Sequence, residues 1–192
     1  MSVLMRAGEL AGRPVVTLQG DRIAEVKDVV FERAQGSVAG FTLNNPGLFS
    51  RSRKDALPWA GVHGVGSDAV MVRVPEVLVP LDVVVPKAER KHGDVLFGEV
   101  LTETGQAIGT VVDVILEIGP GSAEVVGYEV EAASGLASAG RKVYIPVPST
   151  MSVSREHLVV PAEVTEFVAD DLAGFGAAVD AFRAKLAHAG RR

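Results

Sequence analysis

The chain contains no cysteine, which removes disulfide frameworks, thiolate zinc sites and cysteine nucleophiles together. Aromatic residues are scarce, one tryptophan, two tyrosines and seven phenylalanines in 192 residues, and no aromatic-basic face of the kind that stacks nucleobases is in view. Apolar stretches such as Ala69 to Val72 are broken by Pro, Gly or charge, well short of the roughly 18 residues a membrane span requires. Met1 to Arg6 holds no apolar segment of signal-peptide length. A cytoplasmic protein with no membrane span is therefore expected. Positive charge is in deficit, 19 Lys and Arg against 24 Asp and Glu for a net charge of -5, so direct binding to nucleic acid is not expected. What is present is 47% hydrophobic and 22% charged residues, enough to bury a core and a poor fit to disorder.

An internal repeat organises these residues. Gly20 to Phe31 lies over Gly105 to Leu116 at an offset of 85, with Gly, Ile, Val, Asp and Val recurring in order. Gly40 to Leu43 matches Gly127 to Val130 at 87, because the second copy has a longer turn at Gly119 to Ser122. Gly47 to Val72 then lies over Gly135 to Val160 at 88 without a gap. Turn insertions are readily absorbed by β folds, and the matched Gly, Pro, Asp and Arg-Lys positions owe nothing to valine bias.

Each copy reads as strands, since short valine-rich runs are bounded by Gly, Pro and Asn. Strands are expected at Val15 to Leu18, Ile23 to Phe31, Val38 to Leu43, Ala56 to Trp59 and Ala69 to Val72. The second set lies at Glu99 to Thr102, Ile108 to Ile118, Ala123 to Val130, Lys142 to Val147 and His157 to Val160. So many short strands suit a small closed barrel, which leaves no exposed sheet edge. The tail changes period: Leu172, Phe175, Val179, Phe182 and Leu186 form one helical stripe. That helix has three readings, docking on its own barrel, pairing with a second copy or another partner, or lying on a membrane surface.

The pattern Gly...Ile-(Ala/Gly)-x-Val-x-Asp-Val, followed by Leu57-Pro58-Trp59, Val62-His63-x-Val65-Gly66 and Asp68 to Val72, resembles the PRC-barrel domain. The likeness covers two copies, about residues 4–74 and 93–168, and is weaker in the second, where Val147 and Pro148 stand for Trp59 and Ala60. It implies a mainly β fold of two tandem small PRC-like β-barrels plus a C-terminal α-helix. The expected domains are 1–86, the first barrel with a Pro-rich exit; 87–168, the second barrel; and 169–192, the helix. The family occurs in the photosynthetic reaction-centre H subunit, the ribosome maturation factor and stand-alone prokaryotic proteins. Those contexts share protein contact and no catalytic set, so the resemblance implies a non-enzymatic adaptor with an unidentified protein partner.

Little chemistry competes with that reading. Asp28 and Asp113 occupy matching places inside apolar strands, where a buried carboxylate must be paired or hydrogen-bonded. The nearest matched acids, Glu32 and Glu117, lie four residues along the strand, about 13 Å away and too far to share a ligand or proton. A structural role at a bend or bulge follows. His63, His92, His157 and His188 form no HxH or HExxH spacing, so no metal is assigned. Gly64 to Ala69 fits a loose GxGxxA string but runs into a strand rather than a helix, and no cofactor is assigned either. The distinctive surface is the segment Asn44 to Lys54. Leu48 and Phe49 stand there beside Arg51, Arg53 and Lys54, either as a contact patch or folded over the end of the barrel. Trp59 is a core residue or an interface anchor. The candidate protein-binding residues are thus Leu48, Phe49, Arg51, Arg53, Lys54 and Trp59. A factor acting in RNA processing or ribosome assembly through protein contacts, and a small-molecule or metal-binding barrel, are the alternatives; a homodimer through the helix is a possible assembly.

Overall fold

A computed structural model describes residues 2–32, 36–47, 51–85, 96–134, 139–147 and 157–189. The chain separates into two compact units, 1–92 with 117–124, and 93–116 with 125–192. The boundary expected between 86 and 87 falls in the stretch 86–95, outside the described residues.

In the first unit the strands are β1 (Val3–Arg6), β2 (Pro14–Thr17), β3 (Arg22–Phe31), β4 (Val38–Asn44), β5 (Ser52–Pro58), β6 (Val62–Val65), β7 (Val70–Val72) and β8 (Val79–Pro80), followed by one helical turn, α1 (Leu81–Val84). Seven of them form one sheet in the order β6-β7-β2-β3-β4-β5-β8. The β-rich composition produces the expected half-buried alternation: β2 buries every second residue, and β4 closes its inner face with Val38, Phe41 and Leu43. A bulge between Val26 and Asp28 interrupts β3. Two residues then face one partner, so Lys27 and Asp28 both point outward. This corrects the expectation of a buried Asp28: its side chain is 65% exposed. The Asp28 amide donates to Thr42 Oγ1 at 3.1 Å, and that hydroxyl donates back to Asp28 Oδ2 at 3.3 Å. Asp113, its half-buried counterpart, accepts the Val114 amide at 2.7 Å.

The second unit is built on β9 (Glu99–Thr102), β10 (Ala107–Gly119) as far as Leu116, β11 (Ser122–Ala132) from Val125, β12 (Lys142–Pro146), β13 (His157–Val160) and α2 (Leu172–Ala189). Its strands run in the order β12-β11-β10-β9-β13. The repeat holds in the pairing: β2 lies parallel to β7 with Val15 opposite Val70, and β9 lies parallel to β13 with Val100 opposite Leu158. Gly40 faces Pro58 across β4 and β5, and Gly127 faces Pro146 across β11 and β12. The mainly β fold with a C-terminal helix is as the sequence implied.

α2 docks on its own unit. The Asp171 carboxylate accepts the Gly174 amide at 2.6 Å and so caps the first turn. Phe175, Val179 and Phe182 are buried. The Phe175 ring lies 5.8 Å from that of Tyr144, and Phe182 lies 5.4 Å from Phe167, over which Lys185 also sits. Three of the five stripe residues are thus covered within the same chain, while Leu172 and Leu186 are half-buried.

One backbone angle breaks the repeat. Gly12 and Phe97 are matched positions; each amide donates to the same place on the next strand, Val26 O at 2.8 Å and Val111 O at 2.9 Å. Both are left-handed, φ 81° for Gly12 and 69° for Phe97. Glycine adopts this angle freely, whereas Phe97 is strained by about 1–2 kcal/mol, and its side chain recovers nothing by burial, being 81% exposed. Phe97→Gly is therefore expected to stabilise the protein by roughly 0.5–1 kcal/mol, after subtracting the entropic cost of a new glycine, about 0.5–1 kcal/mol. Urea unfolding checks this, and a loss of stability would show that the Phe97 ring is held by a contact.

Candidate functional site

Beside β5 lies an open groove of about 560 Å³, lined by Asn45, Ser52, Arg53, Lys54, Asp55, Leu78, Val79 and Pro80. The local sequence explains its shape. Side chains two apart on a strand share a face, so Arg53 and Asp55 meet: Nε donates to Oδ1 at 2.6 Å and Nη2 to Oδ2 at 2.8 Å, a two-pronged pair. Nη1 also donates to the Ile23 carbonyl at 3.2 Å and to Asn45 Oδ1 at 3.5 Å. β8 closes only part of β5, pairing with Asp55 and Ala56 alone. It ends at Pro80, which has no amide hydrogen, before the chain turns into α1.

The electrostatics follow from that pair. The Arg53 guanidinium holds the Asp55 carboxyl below its ordinary 3.8, mainly through the hydrogen bonds; burial opposes this next most strongly, and the guanidinium's charge adds a smaller lowering. Asp55 in turn raises Arg53. A depressed carboxyl stabilises the fold above its unfolded pKa and loses that contribution as pH falls through the folded value. The expected result is that acid unfolding below pH 3.8 is less steep in Asp55→Asn than in the parent chain. Equal slopes would show the pair to be energetically idle. Arg51 and Lys54 are exposed and have no carboxylate partner among the described residues.

A scan of family models matches the PRC-barrel domain twice, at residues 3–85 and 94–166. The chain belongs to the PRC-barrel family. Comparison with curated proteins gave no match. The groove belongs to the first PRC-barrel domain, and its Arg53–Asp55 pair has no counterpart in the second. There the matched positions are Arg141 and Val143, and Arg141 reaches Asp170 at 3.8 Å instead.

The expected contact residues divide. Arg53 and Lys54 line the groove and Arg51 stands just before β5, exposed. Leu48 and Phe49 lie outside the described residues. Trp59 sits in the single 3-10 turn after β5, half-buried, with its ring 5.9 Å from Phe41. It therefore packs on the domain while keeping an exposed side. Asn45, Asp55 and the Leu78 to Pro80 wall escaped the sequence reading. Asp55 was within reach: β5 begins at Ser52, not at Ala56, and strand spacing from Ser52 would have put Arg53 and Asp55 on one face. Burial pushes the Tyr128 phenol up to about 12, so it stays neutral. Among the described residues no group of three or more His, Asp or Glu is placed to hold a metal, and no helix is long and apolar enough to cross a membrane.

Proposed function

We propose that this protein is a non-enzymatic adaptor that binds another protein through the β5 side of its first PRC-barrel domain. The observation carrying this reading is the groove in which a rigid Arg53–Asp55 pair lies beside two cations, Arg51 and Lys54, without carboxylate partners among the described residues. A mutually neutralised pair is poorly suited to proton transfer, because each member holds the other ionised. Unpaired rim cations, in contrast, steer and orient an approaching protein surface. Leu48, Phe49 and the exposed side of Trp59 supply the apolar contact area in this reading.

The test is affinity capture from the source organism's lysate with and without nuclease, using the parent chain and Arg51→Glu with Lys54→Glu. A specific protein retained after nuclease and lost in the variant supports the adaptor. Equal capture by both chains removes β5 from the interface. Loss on nuclease treatment transfers the function to an RNA-bridged assembly. Arg53 is kept intact in this comparison, because removing it would also break its bonds to Asp55, Asn45 and Ile23.

A further inference from the structure

We infer that the groove receives an extended acidic segment of a partner protein as an added strand along β5, continuing the line that β8 leaves unfinished. This rests on the protein-binding reading above and specifies its chemistry. The first support is the backbone. β5 runs from Ser52 to Pro58, yet on the groove side β8 pairs with Asp55 and Ala56 only. Ser52 to Lys54 line the groove, and no other strand pairs with them on that side among the described residues. A strand edge with free amides and carbonyls is a template for strand addition. A longer β8 would have closed it, but Pro80 cannot donate to the ladder and the chain turns there into α1, which packs against β4 and β5 without pairing as a strand.

The second support is charge. An acidic segment entering this groove does not face a bare carboxylate, since both oxygens of Asp55 are engaged by Arg53. It meets instead Lys54 in the groove and Arg51 at the approach, both exposed. Neither of these two cations has a carboxylate partner among the described residues, on a chain whose net charge is -5. The third support is rigidity. Arg53 is fastened to the Ile23 carbonyl of β3 and to Asn45, just past the end of β4, so the floor of the groove is set before a ligand arrives. Leu78 and Val79, half-buried, supply an apolar wall for the alternate side chains of the added strand.

The experiment uses the full chain and a fluorescein-labelled peptide of alternating Glu and Val. Three comparisons accompany it: the Lys and Val counterpart, the Glu and Val peptide with every amide N-methylated, and Lys54→Glu protein. The expected results are saturable binding of the acidic peptide, little by the basic one, and a loss of about tenfold or more on N-methylation, which deletes the strand hydrogen bonds. Lys54→Glu should weaken the acidic peptide by about tenfold. Hydrogen exchange should show new protection at Ser52 to Lys54. Equal binding of the N-methylated peptide, or protection confined to other segments, overturns strand addition. Failure of the acidic peptide while the parent chain still captures a nuclease-resistant partner overturns this inference and leaves the adaptor standing; failure of both measurements overturns the two together.

Discussion

Gly127→Val is expected to destabilise the second unit by about 3 kcal/mol, the upper range for forcing atoms into a filled space. Gly127 lies on β11 opposite Pro146 of β12. A Cβ placed there runs into the Ile145 carbonyl oxygen, with the carbonyl carbon at 3.2 Å, and into the tip of the Phe175 ring. A backbone carbonyl in a paired strand cannot rotate away, so the sheet or the helix must move. The matched Gly40→Val should act alike in the first unit, where a Cβ meets the Leu57 carbonyl oxygen and lies 2.9 Å from Pro58 Cα. The aromatic residues provide separate readouts. The only tryptophan, Trp59, reports on the first unit, and both tyrosines, Tyr128 and Tyr144, belong to the second. In urea unfolding, Gly127→Val should move the tyrosine transition, and Gly40→Val the tryptophan transition. Gly64→Ala, where nothing lies within 4 Å, serves as the near-neutral control. A Gly127→Val chain of parental stability would mean that α2 does not press on β11.

The second large effect is expected from Phe182→Ala, about 3–5 kcal/mol for emptying a fully buried phenylalanine site. Phe182 is 0% exposed and its ring stacks obliquely on Phe167. The resulting cavity would close only in part, because Phe167 is held in the 3-10 segment Ala162–Phe167 and Phe182 in α2. The outcome separates docking within one chain from pairing between copies. If α2 packs on its own unit, the unfolding midpoint of parent and variant is independent of protein concentration. A midpoint that climbs with concentration in the parent chain, and is flattened by Phe182→Ala, would assign the stripe to a dimer instead.

How far the sequence carried these conclusions depended on the range of the interactions. Asp28 shows one limit. Its place in an apolar strand suggested burial, whereas the bulge after Val26 turns it to solvent and gives it Thr42, a partner on the next strand. The direction of a side chain after a bulge depends on which partner residue is skipped, and local composition does not record that. β5 shows another. The expected strand starts at Ala56, but strand pairing with β4 extends the sheet back to Ser52. Ser52 and Ala56 pair with Asn44 and Thr42 on either side of a bulge, which carries Lys54 and Asp55, residues of low β-propensity, within the strand. Phe97 is the converse case. Matching it to Gly12 requires only the offset of 85, yet its left-handed angle and exposure are properties of the folded turn.

The sequence by itself determined the duplicated β architecture, the PRC-barrel resemblance and the helical stripe of the tail. The repeat and the stripe rest on periodicity and spacing and the resemblance on short motifs, all of them present along the chain without any tertiary contact. Tertiary structure alone decided that Phe175 and Phe182 of the stripe pack on Tyr144 and Phe167 of the same chain. It alone also decided that Arg53, bonded to the Ile23 carbonyl 30 positions away, forms the floor of a groove whose wall comes from β8. Those contacts join segments remote in sequence, and which remote segments meet is set by how the sheets pair and curl.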